Sequence, residues 1–255
     1  MKIIDFSMDE YNFKEAMKQN IKENIQPLLL ENRFKKYSTN KYIRESNGLL
    51  QIITFRIGKD NLRAYASYIP LFVPLDNVLD YGIEITGSSG VNLLNGEFYT
   101  TIYEREKLDT KIQLKNYYQE HLTELKKLFV TIKMGVIPEM DEIDSFECFA
   151  NRLKSDNVTF FGAKYNDAFK NGVLYEFIMG VFKCISCDFK QGIKELVRLN
   201  EWLQNYAISS DLEIKLCLEK LLSFDTSRVN ITENEFLDNY ADICNKRRKK
   251  YKLIK

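Results

Sequence analysis

Residues 41–71 read KYIRESNGLLQIITFRIGKDNLRAYASYIPL. Three strand candidates, Lys41 to Arg44, Leu49 to Ile57 and Leu62 to Leu71, the longer two rich in aliphatic and aromatic residues, are separated by turn-forming residues. That pattern predicts strands of an antiparallel sheet at hairpin-like intervals, with their order left open, because Asn-Gly supplies the left-handed backbone that a tight hairpin needs. Asn47-Gly48 occupies the first gap and Gly58-Lys59-Asp60-Asn61 the second. In the middle run Leu50, Ile52 and Thr54 alternate with Gln51, Ile53 and Phe55, so both faces are largely apolar and a central strand is expected. Pro70 and Pro74 close the third run, since proline cannot donate to a ladder.

Outward from this block the texture becomes helical. Upstream, Ser7 is the expected N-cap of a helix carrying Phe13, Met17, Ile21, Ile25, Leu28 and Leu29, with Asn32 as its stop and Pro27 placing a kink, or a meeting of two helices, near Ile25. Downstream, short strands are expected at Tyr81 to Thr86 and Glu97 to Ile102, with Gly87 to Gly90 in the loop between them. Past Glu106, Leu114, Tyr118, His121, Leu125, Leu128, Phe129 and Ile132 share one side of a long helix, which Gly135 and Pro138 should stop. A shorter helix is expected from Asp141 to Leu153, then a hairpin of Val173 to Lys183 and Phe189 to Leu203. Two capping boxes follow, Ser210 with Glu213 and Thr232 with Glu235.

The fold class is therefore α+β: an N-terminal helix and antiparallel sheet over residues 1–105, and a helical region over 106–255 packed with the first as one unit. A chain of 255 residues buries enough apolar surface to need neither metal nor disulfide. The 37 Lys and Arg balance 36 Asp and Glu, so no global field draws the protein to nucleic acid or anionic membrane. Five cysteines without framework spacing suit a reducing compartment. The start MKIIDFSMDEYNF lacks the apolar core of a signal peptide, and no stretch reaches the roughly 18 apolar residues of a membrane span, so a cytoplasmic protein without membrane attachment is expected.

The chemistry-bearing residues form no complete motif. Cys184 and Cys187 have the spacing of half a zinc site or a redox pair, but no second pair accompanies them, and packing is the simpler reading. His121 is the only histidine and falls on the apolar side of its helix. Glu104 with Glu106, and Asp141, Glu142 and Asp144, are acidic pairs and clusters; the latter sits where a helix should start and where the macrodipole welcomes anions. Gly87-Ser88-Ser89-Gly90 lacks the lysine and glycine spacing of a phosphate loop. No catalytic residue, metal ligand set or cofactor is expected. Arg44, Arg56 and Arg63 recur across the three strands and can converge on one face as an anion or partner site. Lys246, Arg247, Arg248, Lys249 and Lys250 form a dense basic run, read as a solvated tail or as a phosphate-binding one.

The helix with Pro27 and Leu28-Leu29, then Phe34-Lys35-Lys36, the step Tyr42-Ile43-Arg44, and Gln51 resemble a bacterial family of unknown function, numbered 4304. The resemblance spans Phe13 to about Ile85, with Asn32-Arg33 standing where that family usually has a glycine before the phenylalanine. It implies a helix-plus-sheet fold and carries over no activity. Gly180, Gly192 and Leu196 are spaced as in a single tetratricopeptide-type hairpin. The reading that follows is a non-enzymatic bacterial interaction or immunity-like protein whose partner is another protein, its 15 Tyr and 17 Phe available to an interface. The alternatives are an enzyme with an arginine- or carboxylate-lined pocket and a nucleic-acid-associated protein using the basic tail.

Overall fold

The computed structural model describes residues 13–57, 61–74, 90–92, 102–103, 122–123, 125–155, 159–160, 163–164, 172–186, 188–206, 211–223 and 231–254. The expected strand Tyr81 to Thr86, nearly all of Glu97 to Ile102, the start of the long helix with Leu114, Tyr118 and His121, and the Ser7 and Ser210 caps lie outside these residues. The architecture is α+β, an N-terminal helix followed by an antiparallel sheet and then a helical C-terminal half.

The chain enters through α1 (Phe13–Asn20), a π-helical turn at Ile21–Ile25, and α2 (Gln26–Glu31). Pro27 explains the turn. The Gln26 N–H bonds back to Ile21 O, five residues away, and the widened turn accommodates a following residue that has no donor. The same device recurs downstream. Helical residues 125–131 pass through a π-turn at Ile132–Val136 into α3 (Ile137–Glu142), with Ile137 N–H bonded to Ile132 O immediately before Pro138. The helix expected to stop at Gly135 and Pro138 therefore runs on to Glu142. The break comes at Ile143 to Ser145, inside the helix expected from Asp141 to Leu153, and Ser145 then caps α4 (Phe146–Leu153) by accepting from Cys148 N–H.

α2 ends in a Schellman motif: Phe34 N–H bonds to Leu29 O and Arg33 N–H to Leu30 O. The left-handed residue is Arg33, at φ 66°, and not Asn32. The chain then forms β1 (Lys35–Ser38), a strand without apolar alternation to mark it, all four of its residues being exposed and polar or aromatic. β2 (Lys41–Ser46), β3 (Leu49–Ile57) and β4 (Asn61–Pro70) follow on the expected segments, and the structure pairs them in order as a meander. Two short strands, β5 (Gly90–Asn92) and β6 (Ile102–Tyr103), both pair with β4. β3 lies between β2 and β4 and is buried on both faces, as its sequence requires. Asn47 and Gly48 both have positive φ, 43° and 82°, which is the two-residue hairpin geometry. A strand pair β7 (Thr159–Phe160) and β8 (Ala163–Lys164) follows α4.

The C-terminal half contains α5 (Val173–Ser186), α6 (Phe189–Tyr206), α7 (Leu212–Leu221) and α8 (Glu233–Lys250). α5 and α6 are the expected hairpin, and their glycines let the backbones approach. A Cβ at Gly192 would meet Cys184 N at 2.7 Å and Gly180 O at 3.0 Å, both backbone atoms that cannot swing aside. Phe72, just after β4, binds the halves together: its ring lies 5.1 Å from Phe146, 5.4 Å from Phe177 and 5.7 Å from Tyr240. Buried side chains from both halves make one continuous core.

Candidate functional site

The three arginines do not converge. Arg44 lies opposite Gln51 in the β2–β3 ladder, whereas Arg56 lies opposite Arg63 in the β3–β4 ladder. Gln51 and Arg56 are an odd number of residues apart, so the pleat sends Arg44 to one face and the other two to the opposite face. Arg44 is a structural node: its guanidinium bonds Asp141 at 2.8 Å, Asn32 O at 3.2 Å and Gln51 Oε1 at 2.5 Å, and it stacks 4.7 Å from the Phe34 ring centroid. Gln51 in turn donates to Met140 O and Ile143 O. Arg56 stacks over Tyr65 at 5.3 Å.

Asp141 and Glu142 end α3; they do not open a helix. The macrodipole opposes anions there, and the Arg44 guanidinium supplies the compensating charge to Asp141. A polar cleft of about 460 Å³ surrounds this node, with Arg44, Glu45, Asp141 and Asp144 in its walls.

Nor is the basic run a tail. It forms the last turns of α8, where cations suit the carbonyl end of the helix. Arg248 bonds Glu45 of β2 at 2.7 Å, Lys246 pairs with Asp242 at 2.5 Å, and Arg247 is buried with its Nη2 donating to Tyr251 Oη at 2.7 Å. Tyr251 packs edge-on against Tyr37 and Leu253 O accepts from Lys35 Nζ, so the end of α8 covers the β1–β2 side of the sheet.

Among the described residues Cys148, Cys184, Cys217 and Cys244 are free thiols, and no group of three or more potential ligands could hold a metal ion. Burial pushes Cys184 and Cys217 up to about 12 and Cys244 to about 11, which keeps these thiols protonated and unreactive. Cys184 packs in the α5–α6 crossing. His121, Cys187, Glu104, Glu106 and most of the Gly87 to Gly90 loop fall outside the described residues. No described helix is long and apolar enough to cross a membrane.

A further surface, not among the expected sites, lies on the outer face of α6. Gly192, Leu196, Leu199 and Leu203 are buried, while Arg198 points outward with Trp202 and Tyr206, one helical turn apart each. Trp202 is 45% exposed and Tyr206 67%, and their rings are 5.8 Å apart. A cleft of about 670 Å³ runs alongside, walled by Tyr175, Met179, Leu199 and Trp202, with Lys154 and Arg198 at its rim. Lys183 pairs with Glu195 across the helices at 2.5 Å. Partial burial raises the Glu195 carboxyl, but hydrogen bonds from Lys183 and Gln191 outweigh it and hold the group below the usual carboxylate value. The signal for this surface was present: Trp202 falls off the stripe formed by Phe189, Ile193 and Leu196.

No family model, curated protein or solved structure matches the chain.

Proposed function

We propose that the chain is a non-enzymatic, immunity-like interaction protein that neutralises or escorts another protein, docking it on the outer face of α6. The observation that carries this is the Arg198, Trp202, Tyr206 stripe beside the α5–α6 cleft. Tryptophan, tyrosine and arginine are the side chains that most often dominate binding energy at protein interfaces. The chain has one tryptophan, and leaving it nearly half exposed costs solvation that a docked partner would recover. Buried free thiols support a reducing compartment such as the bacterial cytoplasm for this role.

The enzyme alternative draws on the polar cleft at Arg44, whose Arg44 and Asp141 are already paired with each other, and Glu45 with Arg248. The nucleic-acid alternative draws on a basic run of which Lys246, Arg247 and Arg248 are engaged within the fold. Both stand behind the interaction reading.

The test compares capture from the native host by the wild-type chain, by the W202A/Y206A variant and by a K22E control on the exposed face of the first π-turn. One stoichiometric protein is expected with wild type and K22E, its affinity for the purified double variant lower by roughly thirtyfold or more, the effect of losing a hot-spot anchor worth about 2 kcal/mol. Recovery of no stoichiometric partner, or equal binding by all three, sinks the proposal.

A further inference from the structure

The outer face of α6 carries more than its aromatic pair. Lys190, Lys194, Arg198, Trp202 and Tyr206 follow one another at intervals of four residues, and all five are exposed. Residues so spaced form one ridge that winds slowly about the helix, about 24 Å from end to end. The ridge is basic over its first three members and aromatic over its last two. It leads into the α5–α6 cleft, where Arg198 and Trp202 stand in the wall with Met179 and Leu199.

The ridge cations are not matched within the fold. Among the described residues no hydrogen bond or ion pair engages the side chains of Lys190, Lys194 or Arg198. Like charges four residues apart repel, so the three weaken the helix that carries them. Of the carboxylates on this side, Asp188 caps α6 by accepting from Gln191 N–H, and Glu195 holds Lys183 at 2.5 Å. Glu201 stands on α6 and Glu176 in the cleft wall. Lys154 adds a further cation at the cleft rim, lying over the Phe182 ring at 4.2 Å and donating to the neutral Asn151 amide.

We propose that the protein docked on α6 presents an acidic segment, with carboxylates against Lys190, Lys194 and Arg198 and an apolar side chain seated in the cleft against Met179, Leu199 and Trp202. This rests on the α6 docking reading and adds the partner's chemistry to it. Opposite charge steers the encounter, and a desolvated apolar anchor holds it. A wholly apolar partner would strip water from three cations with nothing to replace it. A single-stranded nucleic acid fits less well: its phosphate repeats at every nucleotide, and Glu176 and Glu201 interrupt the track it would follow.

Nuclease-treated extract of the native host, passed over the full chain, supplies the partner, and the pair is then studied purified. Carbodiimide coupling joins an amine to a carboxylate as an amide and takes up the water as a urea. It should link Lys190 or Lys194 to an aspartate or glutamate of the partner, read by mass spectrometry. K190E/K194E/R198E should lower the association rate at least about tenfold, and raising salt from about 50 to about 300 mM should slow the wild type but not this variant. The neutral K190Q/K194Q/R198Q should fall between the two, which separates charge from any loss of fold. W202A/Y206A should instead dissociate faster at a near-normal association rate. If that double variant binds weakly while the charge-reversed one binds as wild type, or no ridge lysine couples, the acidic partner is refuted and the docking reading stands. Recovery of no partner, or wild-type binding by W202A/Y206A, overturns both. Loss of capture on nuclease treatment, with a single-stranded oligothymidylate bound in its place, assigns the ridge to nucleic acid and also overturns the proposal.

Discussion

Gln51 is fully buried where β3 crosses the end of α3, and its two amide hydrogens satisfy Met140 O and Ile143 O, carbonyls that a helix terminus leaves without partners. Its Oε1 accepts from Arg44. Replacing it with leucine keeps the volume but abandons both carbonyls and one guanidinium N–H in the core. Q51L should therefore lose about 2–4 kcal/mol of stability, measured by urea denaturation; a loss below roughly 0.5 kcal/mol would mean that water replaces the amide at no cost. Gln51 and Arg44 were both visible in the sequence as polar residues inside apolar strands. Their partnership with α3 was not, because it joins residues some ninety positions apart. Arg33 is the converse case. Its left-handed backbone occupies the helix C′ position that favours glycine, and an arginine there is tolerated without one.

The helices differ in how much of their ends is written locally. The Thr232 and Glu235 box forms as expected: Thr232 Oγ1 accepts from Glu235 N–H at 3.3 Å, and Glu235 Oε2 accepts from Thr232 N–H at 2.8 Å. That backbone bond, then the Thr232 hydroxyl, holds the Glu235 carboxyl below its usual value. A depressed folded pKa means a contribution to stability that is present above the ordinary carboxylate pKa and is lost as pH falls through the folded value. Thermal melts taken from neutrality down to about pH 3 should show the wild type losing its advantage over E235Q as pH falls. A gap between the two that does not narrow in acid would show that the box contributes through shape and not charge. The π-turns were less legible. Pro27 and Pro138 announced a disturbance, but whether it ends a helix or is absorbed by a widened turn depends on tertiary support. Buried Ile21, Ile25, Ile132 and Val136 in those turns supply it, so both helices continue.

At the scale of the molecule, the division near residue 105 separates two textures but not two cores. Phe72 stacks on Phe146, Phe177 and Tyr240, Asn47 O accepts from Phe146 N–H, and Arg248 reaches back to Glu45. Residues 1–105 produced alone should consequently expose the sheet face that α3 and α4 cover, bind a hydrophobic dye and show no cooperative melt. A dispersed, native-like spectrum from that fragment would contradict a shared core. The sequence by itself determined the α+β class, the three strand segments, the Asn47-Gly48 hairpin and the α5–α6 pair, because each rests on periodicity and turn chemistry within a few residues; the order of the strands came from the structure. Tertiary structure alone decided that Arg44 turns away from Arg56 and Arg63 and that the basic run packs as a helix end against β2. Those outcomes depend on strand register and on contacts between distant segments, and residue spacing along the chain carries no information about which distant surface a side chain will meet.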